Sequence, residues 1–239
     1  MSKTVLVSGA SGDIGYKICS LLLENNYRVI GLYNNSKKKI DELTEAFPNA
    51  FVSYKIDLSD FNNSSLLIEL LEKDSLTIDI LINNAGISYV GLLQDLPCSQ
   101  WNKIWNTNVT SAVALSKNVI PHFLKSGQGK IINISSVWGS HGASCEVAYS
   151  TTKGAINTFT KALALELAPS NIQVNALACG FLDTKMNGHL SEDEIQEIIE
   201  DIPARRLGTP LDVAQAVLSL CQQGDYLTGQ VITLDGGWI

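Results

Sequence analysis

Tyr149 and Lys153 stand four residues apart in Tyr149-Ser150-Thr151-Thr152-Lys153. On a helix this spacing puts a phenol and an ammonium on one face, a single turn apart. Such a pair can handle protons. A free tyrosine titrates near ~10, too high for efficient exchange at neutral pH, and a nearby cation lowers that value by favouring phenolate. The same pattern also arises as an ordinary helix pair, so its companions decide what it means. Ser136 lies thirteen positions before Tyr149 at the end of an apolar run, with Ser135 beside it as the competing candidate. A hydroxyl there can donate to a substrate oxygen as negative charge develops on it.

A second group of residues suits phosphate. Ser8-Gly9-Ala10-Ser11-Gly12-Asp13-Ile14-Gly15 follows an apolar run and opens a helical segment, where backbone N–H groups and the helix dipole can meet a diphosphate. A plain tight turn has the same look. The carboxylate of Asp13 must point away from any phosphate bound there. Downstream, Leu32-Tyr33-Asn34-Asn35-Ser36-Lys37-Lys38 contains no acid, and none follows until Asp41. An acid at this place would bond the ribose hydroxyls of NAD and repel the extra phosphate of NADP. Ser36, Lys37 and Lys38 can receive that phosphate or simply begin a solvated helix; the balance favours NADPH.

These groups need a scaffold that brings them together. Short Val- and Ile-rich runs alternate with segments of helical period, each run ending in Gly, Asn or Asp, which is the pattern of βαβ units. It predicts strands near 4–8, 28–32, 50–56, 78–82, 130–135, 172–177 and 230–234. Helices are predicted near 13–25, 38–46, 60–73, 99–124, 147–168 and 210–222. Ile78-Asp79-Ile80-Leu81-Ile82 and Lys130-Ile131-Ile132-Asn133-Ile134 are apolar on both faces, as parallel strands covered by helices must be. The fold class is therefore α/β: a Rossmann-type doubly wound, seven-stranded parallel sheet with helices on both faces, residues 1–239 forming one domain. The irregular stretch 180–209 includes an acidic helix, Ser191 to Asp201, with Ser191 and Glu194 spaced as a capping box. It is either a solvated surface helix or a lid over a substrate pocket.

Composition narrows the partners. A chain of 239 residues with 45% hydrophobic content can bury a sizeable core. A formal charge of −7, with 17 scattered basic residues, argues against a nucleic-acid surface. The five cysteines, Cys19, Cys98, Cys145, Cys179 and Cys221, form no CxxC pair, and His122, His141 and His189 share no ligand spacing, so neither a disulfide framework nor a metal site is expected. No apolar stretch long enough for a membrane span and no signal-peptide pattern is visible, which makes a cytoplasmic location the natural reading.

Taken in order along the chain, these motifs resemble the short-chain dehydrogenases/reductases. The glycine-rich turn is similar to that family's TGxxxGxG pattern, with Ser8 for Thr, Gly9 and Gly15 in place, and Asp13 where the middle glycine usually stands. The resemblance implies a catalytic set of Asn108, Ser136, Tyr149 and Lys153, the second of the two serines being the one that aligns. Tyr149 would deliver the proton as the nicotinamide reduces a carbonyl. Lys153 would lower the tyrosine's pKa and hold the nicotinamide ribose. Asn108 would hold a water leading to solvent, unless it is only a kink or cap residue. Cofactor contacts are implied for Gly9, Ser11, Gly12, Asp13, Ile14 and Gly15 in the turn, for Asn34, Asn35 and Ser36 after the second strand, and for Asp57 and Leu58 after the third. Asn84, Ala85 and Gly86, within Asn83-Asn84-Ala85-Gly86, and Tyr149, Lys153, Gly180, Leu182 and Thr184 complete the implied set. Cys179 stands where the family usually has Pro, so the turn before Gly180 loses rigidity.

Within the family the chain looks like the 3-oxoacyl-[acyl-carrier-protein] reductases, with Arg205, Leu207-Gly208, Tyr226-Leu227-Thr228-Gly229 and Leu234-Asp235-Gly236-Gly237 as companions. The segment Trp138 to Val147 resembles a subgroup that reduces the 5-aminopentanone modification on a lysine of elongation factor P. Carrier-protein reductases tend to show basic residues where this chain has Gly127 and Ser170, and Glu146 would suit a cationic amine substrate. The expected partner is thus a small-molecule or protein-attached ketone, on elongation factor P or on an acyl carrier protein. The family's usual homotetramer is expected too, through the Ala-bearing helix after Tyr149. Two other classes remain: a non-catalytic NADPH-binding sensor or scaffold, and a nucleotide-sugar epimerase, which would normally need a longer C-terminal region.

Overall fold

A computed structural model describes residues 2–61, 63–74, 76–188 and 190–239, and the side chains of all of these except 64, 65, 68 and 72. His189 therefore lies outside the described residues. The seven strands are β1 (Thr4–Ser8), β2 (Arg28–Tyr33), β3 (Phe51–Lys55), β4 (Ile80–Asn83), β5 (Gly129–Ser136), β6 (Ile172–Cys179) and β7 (Val231–Leu234). The helices are α1 (Asp13–Glu24), α2 (Lys38–Ala46), α3 (Asn63–Lys73), α4 (Cys98–Trp105), α5 (Ser111–Ser126), α6 (Trp138–His141), α7 (Val147–Leu167), α8 (Glu192–Asp201) and α9 (Pro210–Gln222). The strands form one parallel sheet in the order β3-β2-β1-β4-β5-β6-β7. The order reverses between β1 and β4, and a doubly wound sheet offers its ligand crevice at that switch point, beyond the strands' C-terminal ends.

Alternation along the strands builds two cores. Val5, Val7, Ile80, Ile82, Ile132 and Ile134 point to one face and pack against α1 and α9 residues such as Ile18, Leu22, Val213 and Val217. Leu6, Leu81, Ile131 and Val174 point to the other and meet Leu67, Leu115, Val119, Phe123 and Leu167 from α3, α5 and α7. Period-two side chains that are apolar on both faces make a central strand stable only when both faces are covered.

The helix predicted over 99–124 is interrupted. Between α4 and α5 the chain makes a π-helical turn, Asn106–Thr110, and the side chain of Asn108 turns aside to the backbone of Ile87. Its Oδ1 accepts from the Ile87 N–H at 2.8 Å, and its Nδ2 donates to the Ile87 carbonyl at 2.9 Å and to Thr152 Oγ1 at 3.0 Å. A π-turn inserts one residue into the helical ladder, and its bonds depend on the loop after β4, which no local pattern reveals. Helix α6, only four residues long, lies outside every predicted helix.

A buried polar chain ties the catalytic-candidate helix to the sheet. Asn83 Nδ2 donates to Asn133 Oδ1 at 2.8 Å and to Ser116 Oγ at 3.2 Å, and Asn133 Nδ2 donates to Thr160 Oγ1 at 2.8 Å. This links β4, β5, α5 and α7, with Asn83 Oδ1 left without a hydrogen-bond partner among the described residues, and directional bonds of this kind fix the rotation and depth of α7 more sharply than apolar packing does. The acidic segment after β6 forms α8 with the predicted capping box: Glu194 N–H donates to Ser191 Oγ, and the Glu194 carboxylate accepts from the Ser191 N–H at 2.8 Å. Among the described residues no helix is long and apolar enough to cross a membrane.

Candidate active site

The C-terminal ends of β1, β4, β5 and β6 open toward the same side of the sheet, because all run parallel. Ser8 Oγ accepts from the Asn84 N–H at 2.9 Å and the Ala85 N–H at 3.1 Å, locking the loop after β4 to the end of β1. Asn84 Nδ2 donates to the Ser8 carbonyl at 3.0 Å and reaches the Gly9 carbonyl at 3.3 Å. Gly9 sits at φ 68, and a β-carbon there would come within 3.0 Å of Ala85 Cα; a β-carbon on Gly15 would collide with the Gly9 carbonyl oxygen. The turn is therefore open only because these two residues lack side chains. Among the described residues no side chain caps α1 at Gly12, which leaves the helix's first N–H groups free to meet a ligand. A glycine-lined turn leading into an uncapped helix fits the diphosphate of a dinucleotide.

Beyond β2 and β3, two of the residues expected at the adenosine end, Asn34 and Asp57, are brought together. Asn34 bonds the carboxylate of Asp57, which also accepts from the Ser59 N–H at 3.0 Å and the Ser59 hydroxyl at 2.7 Å. The Ser59 bonds hold the Asp57 pKa below its ordinary value against some burial, with Asn34 and the charge of Lys103 adding to them. Asn35 and Ser36 are exposed, whereas Leu58 is buried and can offer a ligand only its backbone. Lys37 pairs with Asp41 at 3.3 Å on the solvent side. The cation that turns toward the glycine-rich turn is Lys39, which pairs with Asp13 at 2.5 Å. Only the placement of α2 beside α1 brings Lys39 there, which no local pattern around it reveals.

Tyr149 and Lys153 share one face of α7, with the lysine Nζ 5.5 Å from the centre of the tyrosine ring. Lys153 is buried and donates to the Ile134 carbonyl at 2.9 Å. Ser136 hydrogen-bonds the Tyr149 phenol and also accepts from the Trp138 N–H at 3.2 Å. Ser135 points the opposite way, donating to Asn157 Oδ1 at 2.6 Å, because neighbours on a strand face opposite sides. Gly86 lies close by, where a β-carbon would stand 3.6 Å from Lys153 Nζ and 3.5 Å from Asn108 Oδ1.

The electrostatics differ from the simple expectation that Lys153 lowers the phenol's pKa. Burial raises the Tyr149 pKa well above its ordinary value, the neighbouring Cys179 and Glu146 add to that, and the Ser136 bond opposes it. Burial also pushes Lys153 down to about 8, with Cys179 working against the shift. Cys179 itself is pushed up to about 12 by burial, Lys153 opposing. At neutral pH the phenol keeps its proton, and a protonated phenol is what a proton donor requires.

The loop after β6 completes the cleft. Gly180 packs so closely on Asp235 that a β-carbon would approach the Asp235 Cβ to 2.6 Å. Leu182 is buried and bridges to Gly208, and Thr184 starts the short turn Lys185–Asn187. Three rings gather at this mouth: Trp138 meets Trp238 edge-on at 5.2 Å, and Phe181 meets Trp238 at 6.2 Å. Trp138 opens α6, Phe181 lies in the loop after β6 and Trp238 stands near the end of the chain, so only the fold brings the three together.

The short chain dehydrogenase family profile matches residues 3–195. The chain belongs to the short-chain dehydrogenase/reductase family. An oxidoreductase of Bacillus subtilis, YmfI, is 37% identical over 240 residues, covering 100% of this chain and 99% of that protein. The 3-oxoacyl-[acyl-carrier-protein] reductase FabG of Vibrio harveyi is 34% identical over 236 residues, covering 98% and 96%. A mutant short-chain dehydrogenase/reductase of Serratia marcescens superposes with a TM-score of 0.91 at 27% identity, covering 99% of this chain and 97% of that one. The chain is accordingly a FabG-like short-chain dehydrogenase/reductase, an NAD(P)H-dependent oxidoreductase acting on an alcohol or carbonyl group.

Proposed function

We propose that this short-chain dehydrogenase/reductase is an NADPH-dependent carbonyl reductase in which Tyr149 is the proton donor, Ser136 binds the substrate oxygen, and Lys153 and Asn108 support them. The observation that carries the reading is the hydrogen bond between Ser136 and Tyr149 beside the buried Lys153, at the C-terminal end of β5. The dinucleotide, when bound, supplies the hydride. Ser136 donates to the carbonyl oxygen, which draws electron density from the carbon under attack. Tyr149 gives its proton to the same oxygen as the alcohol forms. Lys153, charged below about 8, offsets the negative charge then left on the phenol. Asn108 holds the loop at Ile87 and the start of α7 at Thr152 in register with the lysine.

The preference for NADPH is supported by the second strand's end, where Asn34, Asn35 and Ser36 carry no charge and the first acid, Asp41, is paired with Lys37. The remaining cofactor contacts are assigned to Gly9, Ser11, Gly12, Asp13, Ile14, Gly15, Asp57, the Leu58 backbone, Asn84, Ala85, Gly86, Gly180, Leu182 and Thr184. Comparing kcat/KM for NADPH and NADH tests the assignment, and equal values would overturn it.

For the substrate, a ketone carried on a modified lysine of elongation factor P is supported by the segment Trp138–Val147. Its Glu146 lies close enough to raise the Tyr149 pKa, and its Trp138 joins the aromatic mouth. The second reading, a carrier-protein thioester, is favoured by the name of the Vibrio harveyi relative. Gly127, left-handed at φ 70, and Ser170 present no charge to an acidic carrier. Parallel assays on a carrier-bound 3-oxoacyl thioester and on elongation factor P bearing the aminopentanone decide between them; efficient thioester turnover overturns the first. A cytosolic homotetramer completes the proposal, supported by five unpaired cysteines and by Leu165, 81% exposed on α7. Sedimentation velocity tests the assembly.

A further inference from the structure

Asp13 stands where a glycine is usual, and its carboxylate makes contacts that no glycine could. One oxygen meets Lys39 Nζ of α2 at 2.5 Å, and the other accepts from the Lys185 N–H at 2.9 Å, 172 residues further along the chain. Three segments that surround the crevice are joined through this one side chain: the glycine-rich turn, the start of α2 after β2, and the loop after β6 that bears Leu182 and Thr184. Both partners lower the Asp13 pKa; burial is the largest influence and raises it, but the Lys39 and Lys185 hydrogen bonds and charges together outweigh burial. The group is therefore an anion at neutral pH, held at the first residue of α1. Lys39 is partly screened from water there, lying also 5.3 Å from the centre of the Tyr16 ring.

We propose that Asp13 is a positioning residue: it latches the Thr184–Gly188 loop and Lys39 onto the glycine-rich turn, and it yields both to the phosphates of the incoming dinucleotide. This rests on the dinucleotide-binding reading above. A carboxylate and a diphosphate compete for the same cation and for the same helix end, so each weakens the hold of the other. The latch keeps the loop ordered before the cofactor arrives and makes the cofactor easier to release after turnover. A glycine at this position would leave the loop untied and the cofactor more firmly held.

Two variants and two readouts test this. In Asp13→Gly, amide exchange over residues 184–188, measured on the protein with nothing added, should quicken, while exchange in β5 and β6 stays as in the wild type. In Asp13→Asn, which keeps an acceptor for the Lys185 N–H but loses the charge, exchange should lie between the two. Equilibrium NADPH binding, followed by its fluorescence without substrate, should tighten about fivefold in both variants, the ~1 kcal/mol that a like-charge repulsion at ~4 Å is worth in water. Unaltered exchange over 184–188 in Asp13→Gly, or weaker NADPH binding in Asp13→Asn, overturns the proposal. Normal wild-type binding with unmoved variants sinks the latch alone. Failure of the wild type to bind either NADPH or NADH sinks the latch together with the functional reading.

Discussion

Lys153 Nζ lies 2.9 Å from the Ile134 carbonyl and 5.5 Å from the centre of the Tyr149 ring, so the strand that ends in Ser136 also anchors the lysine of α7. One strand thus orders two of the three groups assigned to the chemistry, and the third, Tyr149, is bonded to Ser136. Replacing Tyr149 by Phe removes the proton donor and little of the packing. It should lower kcat by ~10²–10⁴ while NADPH binding, read by fluorescence, persists.

Burial of Lys153 has a sign that can be checked. Its pKa falls from 10.5 to about 8, so between those values the unfolded chain binds the extra proton. Stability therefore rises with pH across that window, and the full penalty is present below about 8. Lys153→Met should remove the penalty and raise Tm at neutral pH by at least about 3 °C while abolishing turnover. In the wild type, kcat/KM should decline on the alkaline side with an apparent pKa near 8. An unchanged or lower Tm in Lys153→Met would refute the burial argument.

Gly15 faces the Gly9 carbonyl and Asn84 Nδ2, with no room for a methyl group. Gly15→Ala must push the turn away from the loop after β4, costing about 1–3 kcal/mol of stability. Denaturant unfolding should show the loss, and dinucleotide affinity should fall with it. Gly127→Ala has free space around its β-carbon but a left-handed φ of 70, so it should cost about 1 kcal/mol and leave dinucleotide binding intact.

The α8 segment leads into Ile202, which is buried, and Ala204, whose N–H donates to the Gly236 carbonyl at 3.1 Å, next to Trp238. Its capping box at Ser191 therefore bears on the aromatic mouth. Ser191→Ala should destabilise α8 by about 1 kcal/mol, speed amide exchange there, and raise the KM for the carbonyl substrate more than that for NADPH. Equal effects on the two KM values would place α8 away from the substrate path.

What the sequence determined by itself is whatever neighbours along the chain decide. The alternation of apolar runs and helical periods set the parallel sheet, because a strand covered on both faces must be apolar on both. The four-residue spacing of Tyr149 and Lys153 set their common face, because helical geometry is local. The Ser191–Glu194 box was legible for the same reason. The tertiary structure decided what depends on segments far apart. It separated Ser135 from Ser136 by which side of β5 meets α7, and it interrupted the helix at Asn108 through the backbone of Ile87. It also brought Asp13, Lys39 and Lys185 to one point, and Trp138, Phe181 and Trp238 to another. Burial raised the phenol's pKa where local charge alone had suggested the reverse, since desolvation is set by everything packed around a group rather than by its nearest neighbour in sequence.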